Sequence, residues 1–432
     1  MKKNIQFFSV FALFCFCGCS DRIKDGAQDK KEHFLRKSAI FVQSSIEKEN
    51  REKYAAFEKF VESVPLKDKV CQLFIENLEG DKVFLPVEKD FVPGGYIFFS
   101  YNLANSAHEI MNFTDSVKNY CAEKNIIPPF LAVDQEGGFV NRLKIVNGPL
   151  PSAEKVSSVS DVFAAYKLYS LQAKQMKALG FDMNLAPVVE VKSKENEKFL
   201  DDRSFGSFEQ VRTFGTACVN AYENNGVAAV IKHFPGNTNT DPHTGLPEID
   251  LPESGLYELL APFGEIARVF PAGVLMSHAR IKAVDEEIPA CFSRRWVSEI
   301  LCGKLGFNGI VFSDDIFMGA LSKNGFLPEE AAVKAIEAGV NVIMVSEKRI
   351  SGPAKVLIKK AEESEEFKKL IEKSFKKVME YKIKFGIVDF EKNSAGNYEI
   401  KFAPEKKSLN ERMKIFNDAR KENIELYIDY FD

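Results

Sequence analysis

The chain has little net charge of either sign, no apolar run long enough to cross a bilayer, and no cysteines in CxxC spacing. Its 58 basic and 62 acidic side chains leave a formal charge of −4. No segment concentrates Lys and Arg into the basic face that phosphate binding requires, so nucleic acid is not an expected partner. Five of the eight cysteines, Cys71, Cys121, Cys218, Cys291 and Cys302, are scattered and odd in number. Neither a zinc site nor a disulfide framework is expected from them, and most read as buried thiols. No GxGxxG follows the first predicted strand, which removes the usual signal of a dinucleotide-binding sheet. Histidine is scarce as well: there are five, two of them in the single stretch KHFPGNTNTDPHTGL, from Lys232 to Leu246.

What is present describes a globular protein with a large core. Hydrophobic residues make up 45% of the chain, charged residues 28%, and Phe is frequent at 38 residues. The N-terminus, MKKNIQFFSVFALFCFCGCSD, has a basic start, an apolar run from Ile5 to about Phe16, and small residues ending at Cys19. The run is shorter than the roughly 20 residues needed to span a bilayer, so it reads as an export signal. The Gly18-Cys19 placement resembles a bacterial lipobox, which implies lipid attachment at Cys19 and a membrane-anchored, exported protein. Residues 20–64 are polar and charged and read as a tether leading into a helix.

From about residue 65, strand and helix signals alternate. Apolar runs bounded by turn residues fall at 71–78, 95–100, 130–134, 181–189, 228–233, 273–278, 309–314 and 340–345. Amphipathic stretches of helical length separate them, among them 108–124, 162–179, 208–225, 253–269, 293–305 and 328–338. Short, nearly continuous apolar strands alternating with helices predict a parallel sheet covered by helices. Eight repeats favour a closed (β/α)8 TIM barrel over 65–386 as a single catalytic domain, with an open doubly wound sheet as the alternative. Residues 355–384 carry further helices, and 387–432 reads as a charged C-terminal tail with a helical pattern near 409–427.

In such a barrel the chemistry sits where strands end at the carboxyl face. Polar residues cluster at those ends: Asp134 and Glu136 after the third strand, Lys232 and His233 after the fifth, Ser277 and His278 after the sixth, Asp314 and Asp315 on the seventh. Shortly after the fifth strand, Pro242 holds Asp241 and His243 on one short loop, a plausible acid/base pair. Carboxylates, a Lys, an Arg and histidines, without metal-ligand or phosphate-loop spacing, suit a polyhydroxylated neutral substrate. Glycoside hydrolysis needs a carboxylate near the anomeric carbon and a proton donor to the leaving oxygen, roles that Asp314 and His243 can fill. Alternation along the strand puts Asp315 on the other side from Asp314.

Six segments together carry a resemblance: LAVDQEGGFVNRL (131–143), GFDMNLAPVVEV (180–191), DRSFG (202–206), KHFPG (232–236), DPH (241–243) and GIVFSDDIFMGAL (309–321). In order and spacing the chain resembles glycoside hydrolase family 3, in its β-N-acetylhexosaminidase branch. The resemblance implies that Asp314 is the nucleophile and that His243, oriented by Asp241, is the general acid/base. It further implies that Asp134, Arg142, Arg203, Lys232 and His233 bind sugar hydroxyls, that a carbohydrate is the partner, and that no metal or other cofactor is needed. The chain departs from the branch in two places. Asn237 and Thr238 stand where His-Gly is usual, making the link to Asp241 shorter, and Tyr101 stands where an Arg is common. A transferase or phosphorylase using the same covalent intermediate, and a sugar-binding lipoprotein without turnover, are the alternatives.

Overall fold

The computed structural model describes residues 47–241, 244–402 and 407–432. They form two compact units, one of Pro65–Val388 with Phe402–Asp432 and the other of Asp389–Lys401 with the described part of 1–64.

The larger unit is a closed barrel of eight parallel strands: β1 Phe74–Asn77, β2 Gly95–Phe98, β3 Phe130–Val133, β4 Met183–Asn184, β5 Ala228–Phe234, β6 Gly273–Met276, β7 Ile310–Asp315 and β8 Val342–Val345. Each pairs with its sequence neighbours, and β1 closes on β8 with Phe74 opposite Ile343. The expected barrel is therefore the observed one. The strands are buried almost throughout, as near-continuous Val, Ile, Leu and Phe runs require when side chains on one face fill the barrel and those on the other meet helices. The abundant Phe serves that second layer. Phe98 meets Phe113 at 5.6 Å and Phe181 at 5.1 Å, and Phe234 meets Phe263 at 5.1 Å and Trp296 at 6.0 Å.

β4 is shorter than its apolar run. Regular pairing stops at Asn184, because Pro187 has no N–H to give the ladder. The segment then rejoins β5 by backbone bonds from Lys232 N to the Pro187 carbonyl (3.1 Å) and from Val189 N to the Lys232 carbonyl (2.9 Å). The helices 208–225 and 293–305 form near their expected positions with π-helical turns, at Val211–Gly215 and Arg295–Lys304.

Residues 387–432 are not one tail. Asp389–Lys392 and Tyr398–Lys401 form an antiparallel hairpin in the smaller unit, where the Tyr398 hydroxyl donates to Glu49 Oε1 of helix 47–63 at 3.0 Å. The helix Leu409–Tyr430 belongs to the barrel unit and packs along Val162–Leu179. Arg412 fixes it with two bonds to the Asp115 carboxylate (3.0 and 2.6 Å), and Arg420 Nε donates to the Val146 carbonyl at 2.9 Å. Among the described residues no helix is long and apolar enough to cross a membrane. Cys19 and the export signal lie outside the described residues.

Candidate active site

The carboxyl end of β3 is set before any charge is placed on it. Asn184 on β4 accepts from Gln135 N at 3.0 Å and donates to the Gln135 carbonyl at 3.1 Å, which fixes the chain as it leaves the barrel between Asp134 and Glu136. Gly137 then turns the chain at a φ of 104°, where a Cβ would lie 2.2 Å from the Pro151 carbonyl oxygen. Only glycine fits that approach.

Lys232, at the end of β5, reaches across to this turn. Its Nζ lies 2.7 Å from Asp134 Oδ1 and 2.7 Å from Glu136 Oε1, and Arg203 approaches Glu136 from the other side. Burial alone would raise the Glu136 carboxyl, but the Lys232 and Arg203 charges overcome it and hold it at about 2. Burial likewise opposes the charge on Lys232, and Asp134 and Glu136 outweigh it, so the ammonium is held above its usual range. Two cations and two anions thus share one nearly buried cluster with no net charge. Such a set offers donors and acceptors to a neutral polyol without demanding a counter-ion.

His233 follows on the same strand, after a cis peptide bond. Its Nδ1 lies 2.7 Å from Glu190 Oε1, and the same carboxylate accepts from Asn237 N at 2.7 Å. Glu190 is absent from the residues expected from the sequence. The signal was available, since Glu190 ends the apolar run VVE much as Asp134 ends LAVD.

On β7 the Ser313 hydroxyl accepts from Met344 N (3.0 Å), and Asp315 Oδ1 accepts from Phe317 N (3.0 Å) and Ser346 N (2.9 Å). These bonds tie β7 to β8 and bury Asp315, whose carboxyl is raised mainly by that burial. Asp314 is left half-buried. Its Oδ1 accepts from Asp315 N at 2.8 Å, and its Oδ2 has no hydrogen bond among the described residues. His278, polar and at a strand end, does not join the site. It is fully buried, with Nδ1 at 3.0 Å from Cys291 Sγ and Nε2 at 3.0 Å from the Asp315 carbonyl.

Of the remaining expected residues, Arg142 sits half-buried on the turn after the short strand Val140–Asn141, with its Nε buried and without a hydrogen-bond partner among the described residues. Asp241 is exposed, and its carbonyl accepts from the backbone N–H groups of Thr244 and Gly245, both at 3.0 Å. His243 lies outside the described residues. Tyr101 stacks on Phe99 at 5.9 Å and accepts a hydrogen bond from the Asn77 amide, which makes that wall of the barrel mouth aromatic. A separate cavity of about 300 Å³ lies among Glu248, Arg280, Lys282, Glu286 and Glu287, and the cluster around Lys232 takes no part in it. Among the described residues no group of His, Cys, Asp and Glu is placed to hold a metal ion.

The glycosyl hydrolase family 3 N-terminal domain model matches residues 66–381. The chain is 32% identical over 274 residues to beta-hexosaminidase A of Pseudoalteromonas piscicida, covering 58% of this chain and 45% of that protein. It is 34% identical over 263 residues to the beta-hexosaminidase of Alkalilimnicola ehrlichii, covering 58% and 73%. The chain thus matches less than half the length of the first relative and about three quarters of the second. A solved family 3 β-N-acetylglucosaminidase from Paenibacillus sp. str. FPU-7 superposes with a TM-score of 0.71 at 28% identity, over 83% of this chain and 69% of that one. The matched region holds all eight strands and the Asp134–Lys232–Glu136–Arg203 cluster, and the chain belongs to glycosyl hydrolase family 3.

Proposed function

We propose that the protein is a retaining β-N-acetylhexosaminidase that removes terminal β-linked N-acetylglucosamine. One observation supports this most. Asp314, half-buried with one carboxylate oxygen uncommitted among the described residues, shares the carboxyl face of the barrel with a charge-balanced set of donors and acceptors suited to a neutral sugar. The names of the family relatives agree with a hexosaminide substrate.

In this reading Asp134, Lys232, Arg203, His233 and Arg142 hold the sugar hydroxyls. Asp314 Oδ2 attacks the anomeric carbon as the glycosidic C–O bond breaks, and His243, held by Asp241, gives its proton to the departing oxygen. A glycosyl ester on Asp314 results. His243, now neutral, takes a proton from water, whose oxygen attacks the anomeric carbon and frees Asp314, so the sugar leaves with its β configuration kept. A histidine suits both steps because an imidazole near its ordinary pKa of about 6.5 exchanges a proton readily at neutral pH. No cofactor enters the scheme.

Export and acylation at Cys19 would place the enzyme on a membrane surface. There, fragments from peptidoglycan turnover are the first natural substrates to test. Release of nitrophenol from its β-N-acetylglucosaminide tests the activity, and Asp314→Asn should lower it by at least about 10³-fold. Wild-type rates in that variant would overturn the nucleophile assignment. Mass spectrometry of the membrane-extracted protein tests the anchor, and an unacylated, soluble mature chain would refute it.

A further inference from the structure

We propose that Glu190 is a positioning residue that aligns two parts of the site at once: the His233 imidazole and the start of the loop leading to Asp241. The proposal rests on the glycosidase reading above and assigns a role to a residue that takes no part in the chemistry itself.

Glu190 is 3% exposed and lies just after the Pro187–Val189 segment that runs beside β5. Among the described residues its carboxylate accepts four hydrogen bonds. Oε1 receives His233 Nδ1 at 2.7 Å, His233 N at 3.3 Å and the Asn237 amide at 3.3 Å, while Oε2 receives Asn237 N at 2.7 Å. A carboxylate placed at Nδ1 fixes the hydrogen there and leaves Nε2 as the atom offered to a ligand. The ring is also fixed by the edge of Phe199, at 5.9 Å between centroids.

The second half of the role concerns residues 237–240, which link Gly236 to Asp241. The backbone and side-chain amides of Asn237, the first residue after the Gly236 turn, both end on Glu190. Two residues on, Asn239 is stitched to the same neighbouring segment: its N donates to the Glu195 carbonyl at 2.6 Å, its amide donates to the Lys194 carbonyl at 2.8 Å, and its Oδ1 accepts from Lys198 N at 2.8 Å. Only Thr240 separates this second anchor from Asp241. The origin of the acid/base loop is thus set by the 190–198 segment, and Glu190 is the point where that constraint and the sugar-ligand constraint meet.

Glu190→Gln is the direct test, because it keeps the shape and replaces one acceptor by a donor that must oppose either the His233 Nδ1 hydrogen or the Asn237 N–H. Folding of the variant is checked by circular dichroism. Losing a charge-assisted bond predicts that kcat/KM falls by roughly 10- to 100-fold. The loss should be larger with a poor alkyl leaving group than with nitrophenol, since the proton donor is displaced too. In a His233→Ala background the KM part of the Glu190→Gln effect should vanish, because a positioning residue acts through its partner. Asn237→Ala keeps the backbone N–H on Glu190 Oε2 and loses only the 3.3 Å side-chain bond, so it should show a weaker leaving-group dependence than Glu190→Gln and no rise in KM. Binding of N-acetylglucosamine by calorimetry gives a readout independent of turnover, and Glu190→Gln should weaken it. If wild type hydrolyses or binds the sugar and the variant matches it, or if the two mutations simply add, the role of Glu190 is overturned while the glycosidase reading stands. If wild type does neither, the glycosidase reading falls and the proposal falls with it.

Discussion

The Arg203 guanidinium meets the Glu136 carboxylate with two parallel bonds, Nε to Oε2 at 2.8 Å and Nη2 to Oε1 at 3.0 Å. That fork sets the plane of the carboxylate, and the plane sets where Lys232 Nζ sits against Oε1. Lysine cannot reproduce a bidentate contact. Arg203→Lys should therefore raise KM by about 10-fold or more through loss of one charge-assisted bond, with a smaller change in kcat. Steady-state kinetics on the nitrophenyl substrate checks this, and an unchanged KM would remove Arg203 from the ligand set.

Removing the anion instead of a cation should cost stability. Glu136→Gln leaves Lys232 and Arg203 close together with half their compensation gone, and breaking a buried pair typically costs about 3–5 kcal/mol. The pH dependence gives a second check. The Glu136 carboxyl lies at about 2 in the folded chain against an ordinary 4.5. Its stabilisation is therefore fully present above about 4.5 and lost as the pH falls toward about 2. Urea midpoints between pH 5 and 2.5 should fall more steeply for wild type than for Glu136→Gln.

The barrel was legible in the sequence because a strand buried on both faces must be apolar nearly throughout, and eight such runs stand out against charged helices. The end of β4 was not, because Pro187 interrupts a run whose composition is otherwise that of a strand. The hairpin Asp389–Lys401 was hidden for the opposite reason. Its residues are mostly charged or polar and half-exposed, so no apolar periodicity marks it. Within the site, position along a strand was readable and partnership was not. His278 and Lys232 both follow apolar runs, yet one is consumed by Cys291 and a backbone carbonyl while the other bridges two carboxylates. Glu190 shows the same limit, since its role depends on Asn237, 47 residues away in the chain.

Glu76 on β1 is the least comfortable charge in the barrel wall. It is in register with Tyr96 of β2, whose ring packs against Phe84 toward the helical layer, and among the described residues neither its Oε2 nor the Tyr96 hydroxyl has a hydrogen-bond partner. Burial, reinforced by Glu88, pushes its carboxyl up to about 9. The unfolded chain ionises near 4.5 while the folded chain keeps its proton, so this group makes stability fall as the pH rises from about 4.5 to about 9. Glu76→Gln should accordingly be more stable than wild type at pH 8, with a smaller gain at pH 5. Equal differences at both pH values would contradict the assignment.

Lys382 sits at the opposite end of the barrel, with Nζ donating to the Gln72 side chain and, at 2.7 Å, to the Pro128 carbonyl. Burial pulls its ammonium down to about 7 from an ordinary 10.5. Between those values the unfolded chain binds more protons, so this group makes stability rise with pH across that window. Lys382→Met should flatten the rise between pH 7 and pH 10 in thermal melts. A slope identical to wild type would show that Lys382 keeps its charge throughout.

The central claim is that Asp314 forms a covalent bond with the sugar, and trapping tests it most directly. A 5-fluoro-N-acetylglucosaminyl fluoride should glycosylate the enzyme and then turn over slowly enough for proteolysis and mass spectrometry. We predict a single sugar adduct on the peptide containing Ser313, Asp314 and Asp315, located to Asp314 by fragmentation and absent from Asp314→Asn. An adduct on another residue, or none while substrate is hydrolysed with inversion, would contradict the account.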